Sequence, residues 1–209
     1  MEPMLDINPL IVFLTVLATA VMAVTGVIQA VRSEFDPFGA MVLAFISAVG
    51  GGTVRDLLLG ASPVFWVTDL IYITTVVPVV LVALFFAHKM KSGGGKRMRW
   101  LSYIDAIGLA LFSVLGVLKA LEYGVHPVIA VMLGCVTGVF GGILRDVFCG
   151  EKPIVLQQDL YATIAILGGG LLVLLNQLLS IEASSLIAFI FIIVGRAYAI
   201  KAQLSLSSL

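Results

Sequence analysis

Uncharged, histidine-free stretches dominate the chain, at 7–31, 37–54, 70–87, 127–144 and 160–181. Two shorter ones, 106–118 and 183–195, reach spanning length when the charged side chains at their ends extend to the interface. About 20 largely apolar residues cross a bilayer as a helix. The pattern predicts an all-α membrane protein with seven transmembrane helices, at about 9–31, 37–59, 67–87, 101–121, 127–148, 156–179 and 184–202. The runs are continuous and do not alternate, which argues against a membrane β-barrel.

Composition narrows the class. Of 209 residues, 61% are hydrophobic and 11% charged, against roughly 25% charged in soluble domains. That excludes a water-soluble enzyme, a disordered tail and a disulfide scaffold. Twelve Lys+Arg balance twelve Asp+Glu, so no net charge draws the chain to nucleic acid. The distribution says more than the sum. With the N-terminus outside, the inner side collects Arg32, Lys89, Lys91, Lys96, Arg97, Arg99, Lys152, Arg196 and Lys201, and the outer loops hold no basic residue. The positive-inside bias therefore predicts an outer N-terminus and a cytoplasmic C-terminus. With Glu2, Asp6 and no basic residue before Arg32, the first apolar run is expected to stay as a helix and not be cleaved as a signal peptide. Cys135 and Cys149, in or at the end of one helix, are expected as packing thiols.

The chain also matches itself. At an offset of 90 residues, GGTVRDLLLGASP at 51–63 lies over GGILRDVFCGEKP at 141–153, and 23–70 against 113–160 gives sixteen identities in 48 positions. Each copy holds three predicted helices, an odd number, and no helix separates the copies. The second copy must then enter the membrane from the opposite side, as an inverted repeat with a two-fold axis in the membrane plane. The single transmembrane domain, 1–209, divides into repeat one (1–90), inverted repeat two (91–181), and a seventh helix with its tail (182–209).

Candidate chemistry sits in the doubled motif. Gly50, Gly51 and Gly52 precede Arg55-Asp56, and Gly141 and Gly142 precede Arg145-Asp146. Adjacent glycines disfavour a helix, and freed carbonyls inside a membrane are tolerated where they line water and can meet a cation. Close helix packing is the competing reading. Arginines in a membrane are costly to expose to lipid, about 2.5–3.5 kcal/mol at a helix centre. Neighbouring helical residues point about 100° apart, so Arg55 and Arg145 are not expected to pair with Asp56 and Asp146. Asp69 and Asp159, which begin the following helices, are the expected partners, in a brace or a gate. Pro78 and Gly168–Gly170 interrupt the third and sixth helices at matched places. Lys119 is left between snorkelling, facing a pore and contacting lipid, and Asp105 is expected at the interface. The basic segment 88–100 reads as a topology determinant with a possible lipid contact. His88 and His126 show no metal-ligand or nucleophile–base spacing, so no enzyme, catalytic residue, cofactor or metal site is expected.

With its doubled GGxxRD motif, three-helix repeats and seventh helix, the chain resembles the prokaryotic branch of the trimeric intracellular cation (TRIC) channel family. Related bacterial sequences are also classed under a glycine-transporter domain. The resemblance implies a homotrimer with a pore in each subunit that conducts K⁺, with Na⁺ as a further permeant ion. It also implies a pore lined by the helices carrying Gly50–Gly52 and Gly141–Gly142. Here Phe140 stands opposite Gly50, and Lys119-Ala120-Leu121-Glu122 only loosely matches the animal branch's Lys-Glu-Val. A prokaryotic source would place the protein in the inner membrane, with lipid and its own copies as partners. Secondary transport of a small amino acid such as glycine is the alternative.

Overall fold

Local signals set the helix ends. Pro37 and Pro127 open two helices at a position where a missing N–H costs nothing. Asp36 caps the first of these, its Oδ1 accepting from the Gly39 amide at 2.6 Å; the corresponding His126 Nδ1 accepts from the Val128 amide at 3.3 Å. Gly60 ends that helix in the left-handed region, at φ 70°, and Gly150 follows the other at φ 68°, a conformation that strains residues bearing a β-carbon. Asp36→Ala should therefore cost about 1 kcal/mol, seen as a small drop in the thermal midpoint of the detergent-solubilised protein.

The computed structural model describes residues 9–87, 94–157 and 160–202. Its helices are α1 (Pro9–Arg32), α2 (Pro37–Leu59), α3 (Phe65–Thr68), α4 (Ile71–Ala87), α5 (Gly94–Glu122), α6 (Pro127–Phe148), α7 (Ala162–Leu175) and α8 (Ile181–Ala202), with a 3₁₀ turn at Ile154–Leu156 before α7. No strand occurs among the described residues. Among the described residues, five helices are long and apolar enough to cross a membrane: α1, α2, α5 over Trp100–Glu122, α6 and α8. Many large apolar side chains, such as Phe13, Phe38, Phe85, Leu167 and Leu174, face outward. Lipid tails accept such a surface, whereas water would not. This is an integral membrane protein.

The third and sixth predicted spans come out shorter than expected. α4 has 17 residues and α7 has 14, so α7 is about 21 Å long against a hydrocarbon core of ~30 Å. The cause before α4 is a cap. Asp69 is extended, and its Oδ1 accepts from the Ile71 amide at 2.8 Å. The preceding residues form the separate turn α3 instead of lengthening the span. The expected interruptions at Pro78 and Gly168–Gly170 lie inside α4 and α7, and both stay helical.

The glycine motif does not break its helices either. α2 runs through Gly50–Gly52 and α6 through Gly141–Gly142 without a gap. The reason is the crossing. A β-carbon at Gly51 would overlap the Thr137 carbonyl, and one at Gly141 would overlap the Ser47 carbonyl. These four positions exchange under the 90-residue offset, so the contact is reciprocal, as at a two-fold axis. Equivalent close approaches join α1 to α2 at Gly26–Ala44 and α5 to α6 at Gly116–Gly134.

Contacts at the two ends of the bundle fix how the copies run. Arg32, ending α1, pairs with Glu151, just beyond α6, at 3.2 Å. At the other end Ile11 and Thr15, starting α1, share a cavity with Pro63 beyond α2 and Tyr123 beyond α5. The glycine helix of one copy therefore ends beside the start of α1, and that of the other beside its finish. α5, flanked by α1, α6, α7 and α8, is the most enclosed helix.

Candidate functional site

Two Arg–Asp pairs lie at opposite ends of the bundle, built alike and finished differently. In the first, Arg55 Nε and Nη2 donate to Asp56 Oδ1 at 2.9 and 2.6 Å. Asp56 Oδ2 accepts from the Phe65 amide at 2.9 Å. In the second, Arg145 Nε donates to Asp146 Oδ1 at 2.9 Å, and Asp146 Oδ2 accepts from the Ile154 amide at 3.0 Å. The expectation that adjacent Arg and Asp cannot pair is therefore corrected. The β-carbons do diverge, but the long arginine side chain folds back to its neighbour. The aspartate's second oxygen then anchors the chain that follows: α3 in one copy, the 3₁₀ turn in the other. Trp66 Nε1 donates to Thr53 Oγ1 at 3.0 Å and adds to that anchor.

The expected partner Asp69 does not reach Arg55. It caps α4 instead, though both line the same cavity. Asp159, the expected partner of Arg145, lies outside the described residues. The cavity at the first pair measures about 230 Å³ and includes Thr15, Arg55, Asp56, Asp69, Lys119 and Tyr123 among its lining. It reaches the surface past exposed Pro63, Thr68 and Asp69. The Phe65 ring occupies the space a side chain at Gly52 would need, and Arg55 Cζ lies 5.5 Å from the centre of that ring. Lys119 lines the cavity while its Nζ pairs with Glu122 at 3.1 Å.

The second pair is closed in. Arg145 is 0% exposed, Asp105 1%, Asp146 3%, Tyr161 2% and Arg196 1%. Arg145 Nη1 donates to Asp105 Oδ1 at 2.7 Å, and the Tyr161 hydroxyl donates to Asp105 Oδ2. Arg196 Cζ stacks 4.5 Å from the centre of the Tyr161 ring. Two guanidiniums, two carboxylates and a phenol thus share one buried cluster, which charge balance makes tolerable. Gly142 borders it, with space for a β-carbon 3.5 Å from Asp105 Oδ1 and 3.6 Å from Arg145 Nη2.

Three members of this cluster escaped the sequence. Asp105 was expected at the interface, and Arg196 only as a charge at the inner end of the last helix; both are buried. Tyr161 carried no signal at all. The usable clue for Asp105 was an acidic residue inside an apolar helix, which needs a cationic partner within the protein. Between the two clusters, buried hydroxyls of Thr25, Ser47, Ser113 and Thr137 surround the glycine crossing. Thr25 and Ser47 lie 3.5 Å apart. Leu144 fills the space beside Gly50. Cys135 and Cys149 are unpaired.

Fold and site together define an all-helical integral membrane protein with charged clusters buried between duplicated helices. A family model described as "Glycine transporter" matches twice, over residues 12–88 and 102–177. The UPF0126 membrane protein of Vibrio cholerae is 44% identical over 80% of this chain and 69% of its own length. The UPF0126 inner membrane protein YadS of Escherichia coli K12 is 43% identical over 77% and 76%. Among solved structures, the TRIC channel orthologue from Rhodobacter sphaeroides superposes with a TM-score of 0.88 at 37% identity, covering 94% of this chain and 100% of that one. A prokaryotic TRIC channel crystallised in 0.5 M KCl gives 0.87 at 27% identity, over 95% and 100%. The chain belongs to the glycine-transporter family of membrane proteins and, with it, to the prokaryotic branch of the TRIC channel family.

Proposed function

We propose that the protein is a cation channel that passes K⁺ through a pathway inside each subunit of a homotrimer. The observation that carries this reading is the match, along nearly the whole chain, to solved TRIC cation channels. The site suits it. A polar cavity leads in from one end, and the buried hydroxyls of Thr25, Ser47 and Thr137 lie beside the Gly51–Gly141 crossing, oxygens of the kind that can replace part of a cation's water shell. Paired arginines oppose cations far less than free ones, which supports a brace or gate role for Arg55, Asp56, Arg145 and Asp146. Seven spans in an inverted repeat, the N-terminus outside and an inner-membrane location complete the proposal. In this arrangement the 230 Å³ cavity opens outward and the buried cluster lies toward the cytoplasm.

Reconstituted protein should give step-like K⁺ currents in a planar bilayer, with no need for a coupling ion. A silent bilayer together with saturable, gradient-driven glycine uptake into liposomes would overturn the channel reading. That second reading rests on the family description and on the cavity's mixed charge, where Arg55 and Lys119 could take a carboxylate and Asp69 an ammonium group.

A further inference from the structure

The charges around the 230 Å³ cavity do not cancel. Arg55, Asp56, Asp69 and Lys119 line it, and Glu122 pairs with Lys119. Each cation is already matched: Arg55 by Asp56 at 2.6 Å and Lys119 by Glu122 at 3.1 Å. Each also lies against a ring, Arg55 at 5.5 Å from the centre of Phe65 and Lys119 at 5.7 Å from that of Tyr123. The Asp69 carboxylate is different. It accepts from the Ile71 amide at 2.8 Å, and among the described residues it forms no ion pair. It is exposed, at the rim where the cavity reaches the surface. The N-terminus of α4 that it caps offers about half a positive charge, too little to cancel a whole negative one.

We propose that Asp69 draws cations into the outer mouth of the pathway and turns anions away; this rests on the channel reading above. The carboxylate acts through its field and not as a ligand. A fixed charge at the rim of a cleft raises the local concentration of its counter-ion, and low-dielectric walls focus the field. A unit charge about 10 Å away changes that concentration roughly twofold in dilute salt. The cap alone does not call for a charge, because asparagine caps a helix as well as aspartate. Salt separates the two roles. The screening length falls from about 30 Å at 0.01 M to about 3 Å at 1 M, so an effect of charge fades with salt and an effect of the cap does not.

The test uses full-length protein in planar bilayers of lipid without net charge, so that the headgroups add no surface potential. Asp69→Asn keeps the cap and removes the charge. At about 10 mM KCl its single-channel K⁺ conductance should fall roughly twofold, chiefly for current entering at that mouth, and at about 1 M KCl it should equal that of the unaltered protein. Under a KCl gradient its reversal potential should move toward that of chloride, and Asp69→Lys should move both readings further. Glu182→Gln removes an exposed carboxylate that begins α8 outside the cavity lining, and it should change neither. Should Asp69→Asn fail to fold by gel filtration, Asp69→Ser, which also caps, takes its place. A conducting wild type overturns the role of Asp69, and leaves the channel reading standing, in three cases: the variant matches it at low salt, the variant is reduced equally at both salts, or Glu182→Gln has the same effect. A wild type silent at both salts overturns both readings.

Discussion

Arg145→Met is expected to cost about 3–5 kcal/mol of stability, the range for removing one partner from a buried ionic network. The substitution would leave Asp105 and Asp146 close together without their cation, in a cluster no more than 3% exposed at any member. Arg55→Met should cost clearly less. Its partner Asp56 borders the cavity that reaches the surface, so water can take over part of the solvation. The comparison is made by following tryptophan fluorescence of the detergent-solubilised protein on heating. Adding Asp105→Asn to Arg145→Met should recover part of the loss, because one of the two stranded charges disappears. Equal losses for the two arginines would show that the ends are not differently buried.

Gly51→Val and Gly141→Val should each disrupt the fold more than any other glycine substitution in the spans. At both positions a β-carbon meets a backbone carbonyl of the opposite helix. Backbone cannot swing aside as a flexible side chain can, so α2 and α6 must separate. Overpacking of this kind costs about 1–3 kcal/mol and sometimes more, and here it also disturbs the hydroxyls of Ser47 and Thr137. Gly170→Ala is the matched control. It lies in α7 with nothing within 4 Å of the added carbon, and alanine favours helix over glycine by about 1 kcal/mol. Its folded yield and thermal midpoint should be unchanged or raised. A well-folded, conducting Gly51→Val protein would refute the tight crossing.

The doubled glycines show how far a motif can be read. Their importance at matched places was legible, because a repeat at a fixed offset is a property of the string. Their role was not. A glycine run can loosen a helix or let two helices touch, and only the position of the Thr137 and Ser47 carbonyls decides. The arginines repeat the lesson. An in-membrane Arg must have a partner, but choosing Asp69 over Asp56 relied on helical angles and underrated the reach of the side chain.

What the chain's order alone determined is its solvent, its element positions and its duplication. Long apolar runs leave a backbone in lipid little choice but helix, and caps such as Asp36 and Gly60 act within a few residues of themselves. What only the tertiary structure decided is which face each helix turns inward. Lipid-facing and protein-facing surfaces are both apolar, so the hydrophobic pattern does not encode helix rotation. Asp105 meets Arg145 across 40 positions of sequence, and Tyr161 and Arg196 join them from two further segments. That convergence buries the charged cluster at one end of a duplicated protein and leaves a cavity beside its counterpart at the other.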